Sequence, residues 1–173
     1  MKFFRINQNA IFCTTMWGLA LAGIGTQVYF FPRLPERVAI HFNALGDATG
    51  WASKTTLLII DIGVLLFMAA LFQLMLYYLP KKPEELINIP HKDYWFSPEK
   101  RELTVKRVSR YLLWFSNLTL LFLVGLFYLT AEVNYYQTFR LGNLFWLLIG
   151  LYLAAIFFLT VELMLFFFKT PRK

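Results

Sequence analysis

Four apolar runs limit what this chain can become. Residues 10–31, 56–79, 111–131 and 144–168 each reach or exceed the roughly 20 residues that carry a helix across about 30 Å of hydrocarbon. Backbone amides in lipid must be satisfied within their own segment, so helices are the expected form. Composition agrees: of 173 residues, 58% are hydrophobic and 16% charged, against roughly half and roughly a quarter in soluble domains. The expectation is an all-α integral membrane protein, a single domain over residues 1–173 with four transmembrane helices. A short ordered extracytoplasmic loop (32–55) and a basic cytoplasmic loop (80–110) with a helical extension complete it.

A net charge of +7 would point to nucleic acid in a soluble protein. Here the cations follow the spans instead. Thirteen of the 17 Lys and Arg residues fall on one side: Lys2, Arg5, eight in the 80–110 loop, and Lys169, Arg172 and Lys173. Arg33, Arg37, Lys54 and Arg140 fall on the other. The basic side is the cytoplasmic one, so both termini belong there, and the excess charge attracts anionic headgroups. The expected partners are the lipid bilayer and a protein partner or second copy, with no nucleic acid. Cys13 is the single cysteine, which excludes an internal disulfide and a cysteine metal site. Lys2, Arg5 and the Ala20-Leu21-Ala22 triplet together look like a cleavable signal, but the apolar run continues to Phe31, so the segment is read as a retained first helix.

The loop at 32–55 holds the most varied chemistry. Pro32 and Pro35 end the first helix. Val38, Ile40 and Phe42 alternate with Ala39, His41 and Asn43, which predicts a short extended segment with one apolar face. Residues 45–50 carry turn chemistry, Trp51 is placed as an interfacial anchor, and the second helix is expected to start at Ser53 to Thr56. The spacing Pro35…His41-x-Asn43-x-x-Gly46…Gly50-Trp51-x-x-Lys54, set between two spans, resembles a bacterial membrane domain of unknown function found in SdpI-type toxin-immunity proteins. The segment from Asn88 to Arg101 resembles one in uncharacterised four-span relatives, where asparagine is more usual at the position of His91. The resemblance implies a multi-pass protein of the bacterial plasma (inner) membrane. Some members confer immunity to a secreted toxin and relay its presence to a repressor, so a secreted peptide becomes a candidate partner. His41, Asn43, Gly46, Trp51, Lys54 and Asp61 are the candidate binding residues.

Asp61 and Glu162 are the only acids well inside the apolar runs. Intramembrane acids cost several kcal/mol unless paired, bundle-facing or protonated. Their positions, roughly 7 Å and roughly 9 Å from opposite ends of their helices, rule out a shared dyad. Asp61 is expected to pair with Arg33, Arg37 or Lys54, and Glu162 with a basic residue on the other side; a proton relay through Asp61 is the sharper alternative. His41 and His91 fall on opposite sides and cannot share a metal. His41 and Asn43 are expected to hold the loop backbone, or else His41 titrates and gates partner binding. Glu36 and Asp47 lie near enough to join a small polar site, yet no recognised metal motif is present. Neither a nucleophile set nor a phosphate cradle appears, so no cofactor, metal or catalytic residue is expected.

Ser97-Pro98-Glu99 is a helix start signal, predicting a helix that runs unbroken into the third span. Arg101, Lys106, Arg107 and Arg110 suit a headgroup collar. Tyr94, Trp95 and Phe96 read as an interfacial anchor or a docking surface. Gly18, Ala22, Gly25 and Thr26 share a small-residue face that is expected to pack within the bundle or to dimerise; Gly150 and Ala154 form a weaker one. The function these features suggest is non-enzymatic binding and sensing through the outer loop. The alternatives are an accessory subunit of a larger membrane complex and, last, a membrane enzyme or small transporter using Asp61.

Overall fold

The computed structural model describes residues 8–79 and 88–169, residues 8–12 by backbone alone. Lys2, Arg5, residues 80–87, Arg172 and Lys173, which carry much of the expected charge asymmetry, lie outside the described residues. The chain is mostly helical: α1 (Gln8–Phe30), a 3-10 turn (Phe31–Arg33), β1 (Arg37–Phe42), β2 (Ala48–Ser53), α2 (Lys54–Tyr78), α3 (Lys92–Trp95), α4 (Arg101–Tyr135) and α5 (Asn143–Phe168). Three of these, α2, α4 and α5, are long and apolar enough to cross a membrane.

Helix α2 starts where its cap dictates. The Ser53 hydroxyl accepts a hydrogen bond from the Thr56 amide at 3.1 Å, satisfying an amide that the first turn leaves free. Its buried residues, Leu57, Asp61, Leu65, Ala69 and Phe72, recur every three or four positions and so form one stripe. Helix α1 answers with Met16, Ala20, Gln27 and Phe30. The two stripes meet α4 in a core of Met16, Ala20, Leu65, Ala69, Phe72 and Leu120. At Gly23 the packing is tight, since a Cβ there would lie 2.8 Å from side chains of both Leu65 and Val124.

The small-residue face of α1 does not pack in the bundle as expected. Gly18, Ala22 and Gly25 are exposed, and a Cβ at Gly18 or Gly25 would meet nothing within 4 Å. They sit two residues on from the buried stripe, about 200° around the helix. The larger apolar residues of that stripe, with Gly23 among them, took the inward side.

Helix α4 begins later than its start signal. Residues 97–100 form a turn in which Ser97 carbonyl accepts from the Lys100 and Arg101 amides, and the helix proper opens at Arg101. From there it runs unbroken for 35 residues, about 52 Å at 1.5 Å per residue. Helix α5 packs chiefly on α4, where Tyr152 stacks on Phe122 at 4.3 Å and Leu148 covers Gly125. It buries only Phe167.

Trp95 is neither a lipid anchor nor a docking surface. It is buried, as is Phe96. Its indole N–H donates to the Phe167 carbonyl at 2.8 Å, and its own carbonyl accepts from the Thr104 hydroxyl at 2.7 Å. An indole with both a large apolar body and a donor suits such a buried junction. Helix α3 thereby clamps the first turn of α4 to the last turn of α5. Arg107 reinforces this junction, its guanidinium 4.1 Å from the centre of the Phe166 ring, whereas Arg101 is exposed and Tyr94 half-buried. His91 precedes α3 in a left-handed conformation (φ 51°), one that asparagine adopts more readily than most residues.

Candidate functional site

The candidate site is the β cap at the end of the bundle where α1, α2, α4 and α5 all terminate or begin. Strands β1 and β2 pair antiparallel with Arg37 opposite Ser53, Ala39 opposite Trp51 and His41 opposite Gly50. The expected single extended segment is therefore a hairpin, and residues 48–50, read as turn, belong to its second strand. A register shift between Ala39 and His41 also breaks the expected alternation, as bulges do. Val38 and Ala39 are both buried and Ile40 turns outward.

Asn43 builds the turn. Its side-chain oxygen accepts from the amides of Leu45 at 2.9 Å and Asp47 at 3.0 Å, the local bonding that makes asparagine a turn residue. Gly46 sits at φ 86°, and a Cβ there would lie 2.7 Å from the Leu141 carbonyl oxygen. Gly46→Ala is therefore expected to destabilise the cap by at least about 1–2 kcal/mol from the left-handed backbone alone, with the clash in addition. A thermal midpoint equal to that of the parent protein would contradict this.

The connection between α4 and α5 completes the cap. The Ala48 amide donates to Phe139 carbonyl at 3.0 Å and the Leu141 amide to Gly46 carbonyl at 2.9 Å. Arg140 Nε lies 3.3 Å from Asp47 Oδ1, and Trp51 packs edge-on to Phe139 with 4.7 Å between centroids. Asn134, fully buried in the last turn of α4, takes the amide of Ala39 at 2.6 Å and donates to its carbonyl at 2.8 Å. One amide side chain thus satisfies both backbone polar groups of a buried strand residue.

The predicted residues separate into distinct places. His41 is exposed and its Nδ1 lies 2.8 Å from the Thr49 hydroxyl. Lys54 closes the base of the hairpin on Glu36 at 2.9 Å, so Glu36 and Asp47 each face a cation and do not join His41 in a polar cluster. Among the described residues, no three His, Cys, Asp or Glu side chains come together. Between the turn and the start of α5 lies a cavity of about 640 Å³ lined by Ala44, Leu45, Arg140, Asn143 and Trp146. Leu45 at its lip is 70% exposed.

Asp61 lies apart from the cap, inside the bundle and 3% exposed. The expected pairing with Arg33, Arg37 or Lys54 is not made. Arg33 bonds the Tyr29 carbonyl, Arg37 lies over Trp51 and Lys54 is held by Glu36. Asp61 Oδ2 is buried without a hydrogen-bond partner, and so is Gln27 Nε2. Gly23 packs on Leu65; in antiparallel helices, Gln27 four residues later and Asp61 four earlier stand at the same level, one turn nearer the cap. Glu162 belongs to the other end of the bundle, on α5 beside Tyr111 of α4. Sequence reading missed Gln27, Asn134 and the 139–141 segment. The available signal was a lone amide at an inward position of an apolar helix.

Apolar helices long enough to cross a membrane, closed at one end by a polar β cap, define the class as a helical membrane protein. A family model described as "Domain of unknown function (DUF1648)" matches residues 18–65. That stretch takes in the second half of α1, the whole hairpin and α2 through Leu65, and with them Gln27 and Asp61. No curated protein and no solved structure matches the chain.

Proposed function

We propose that this chain is a non-enzymatic binding and sensing protein of the SdpI-like immunity type. In this reading it spans the bacterial plasma membrane four times, α1 being the fourth span, with both termini in the cytoplasm. The cap then faces outward and receives a peptide or protein partner in the cavity beside Leu45, Arg140 and Trp146. The observation that carries the reading is how the cap is fastened. Asn134 grips Ala39 at one end of α4, and Trp95 clamps the opposite end of the same unbroken helix to α5. A ligand that favours one position of the cap therefore biases a rigid element reaching the other side, which is what a two-state sensor requires.

The test is extraction of the full chain into native lipid discs and mass spectrometry of whatever stays bound, with Leu45→Glu for comparison. Leu45 is exposed, so the substitution leaves the fold intact. A secreted peptide held by the parent protein and lost in Leu45→Glu, or a soluble cytoplasmic regulator held by both, is the expected result. A stoichiometric membrane subunit retained equally by both would overturn it in favour of the accessory-subunit reading. That second reading draws on α5, which buries only Phe167 and leaves much of its apolar surface exposed.

A further inference from the structure

A groove of about 610 Å³ opens on the flank of the bundle between α1 and α4, at the cap end. Its rim carries one cation, Arg33, and one anion, Glu132; tyrosines including Tyr29 and Tyr128 wall it, and Ala22 and Gly25 lie at its apolar end. Each charge is held by its own neighbour. Arg33 stands 4.0 Å from the centre of the Tyr29 ring and donates to the Tyr29 carbonyl. Glu132 accepts from the Tyr128 hydroxyl at 3.3 Å. Among the described residues no ion pair joins Arg33 to Glu132, although both line one cavity. Arg33 keeps further donors and Glu132 a second oxygen to offer a ligand.

We propose that this groove seats the headgroup of a zwitterionic aminophospholipid, its phosphate on Arg33 and its ammonium on Glu132 among the tyrosine rings. Guanidinium matches phosphate in geometry and charge, and tyrosine faces attract an ammonium. An anionic headgroup without an amine would leave Glu132 facing it unpaired, so the charge pattern selects for the zwitterion. Both charged residues sit at helix ends, the level of the headgroups. From the groove, the exposed Ala22, Gly25 and Gly18 run down α1, and a Cβ at either glycine would meet nothing within 4 Å, which leaves room for an acyl chain to lie against the helix. The small-residue face that finds no helix partner within the bundle thus gains an occupant. The proposal rests on α1 being a span.

The full-length protein, placed in nanodiscs containing equal phosphatidylethanolamine and phosphatidylglycerol of matched chains, is released for native mass spectrometry. One retained aminophospholipid is expected, favoured about tenfold, the worth of one charge-assisted hydrogen bond. Arg33→Gln and Glu132→Gln each reduce that retention, and Glu132→Lys turns the preference toward the anionic lipid. Equal retention of both lipids, or a preference unmoved by Glu132→Lys, overturns the proposal. The span is read separately, by a membrane-impermeant thiol reagent on Gly18→Cys in a Cys13→Ser background. Protection supports α1 as a span, and labelling overturns that reading and the lipid site with it.

Discussion

Replacing Asn134 by alanine is expected to lower the stability of the cap by about 2–4 kcal/mol. The substitution leaves the buried amide and carbonyl of Ala39 without their partners, and each orphaned polar group costs about 1–3 kcal/mol. It also removes the bond from Asn134 to the Thr130 carbonyl at 2.9 Å. Hydrogen exchange reads the effect directly: the Ala39 amide should lose protection while the Leu65 region of the core keeps its own. Asn134→Asp should fall between the two, because a carboxylate accepts from the Ala39 amide but cannot donate to its carbonyl. Unchanged protection at Ala39 in the alanine variant would show that the cap is held by other means, and the lever in the sensing reading would lose its fastening.

The second large effect has the opposite sign. Gln27→Met combined with Asp61→Val is expected to raise stability by about 1–3 kcal/mol, the cost of burying polar groups that lack partners. Both side chains are almost fully buried, 2% and 3% exposed, and Gln27 Nε2 and Asp61 Oδ2 are without hydrogen bonds. The single variants should not sum to the double, because side chains at one level of one interface couple by about 0.5–3 kcal/mol. Thermal unfolding in a single detergent gives all four corners of this cycle. A lower midpoint for the double variant would mean that the acid and the amide stabilise the α1–α2 interface. A higher midpoint with loss of partner response would mark a residue kept for function at the expense of stability, as membrane acids often are.

The helices were legible because their information is local. The apolar runs at 56–79 and 144–168 became α2 at Lys54–Tyr78 and α5 at Asn143–Phe168, and α2 starts within the expected Ser53 to Thr56 window. Strand β2 was not legible. Ala48-Thr49-Gly50-Trp51-Ala52-Ser53 has no apolar alternation, and it is extended because β1 and the Phe139 carbonyl supply its hydrogen bonds. Trp95 read as an interfacial aromatic because nothing near it in the chain announces the Phe167 carbonyl that receives its N–H.

What the amino-acid sequence by itself determined is a mostly helical, membrane-type chain with a turn-forming insert between its first two long helices. Hydrophobic length and backbone hydrogen bonding within each segment are enough for that. What only the tertiary structure decided is which face of each helix turns inward and what meets across the fold. A helix rotated to bury Met16, Ala20, Gly23 and Gln27 necessarily exposes Gly18, Ala22 and Gly25, and either face was open to it until α2 and α4 were in place. Likewise Asn134 acquires its role from Ala39, 95 positions away, because the polar groups of a bulged, buried strand must be satisfied by whichever side chain the packing brings near.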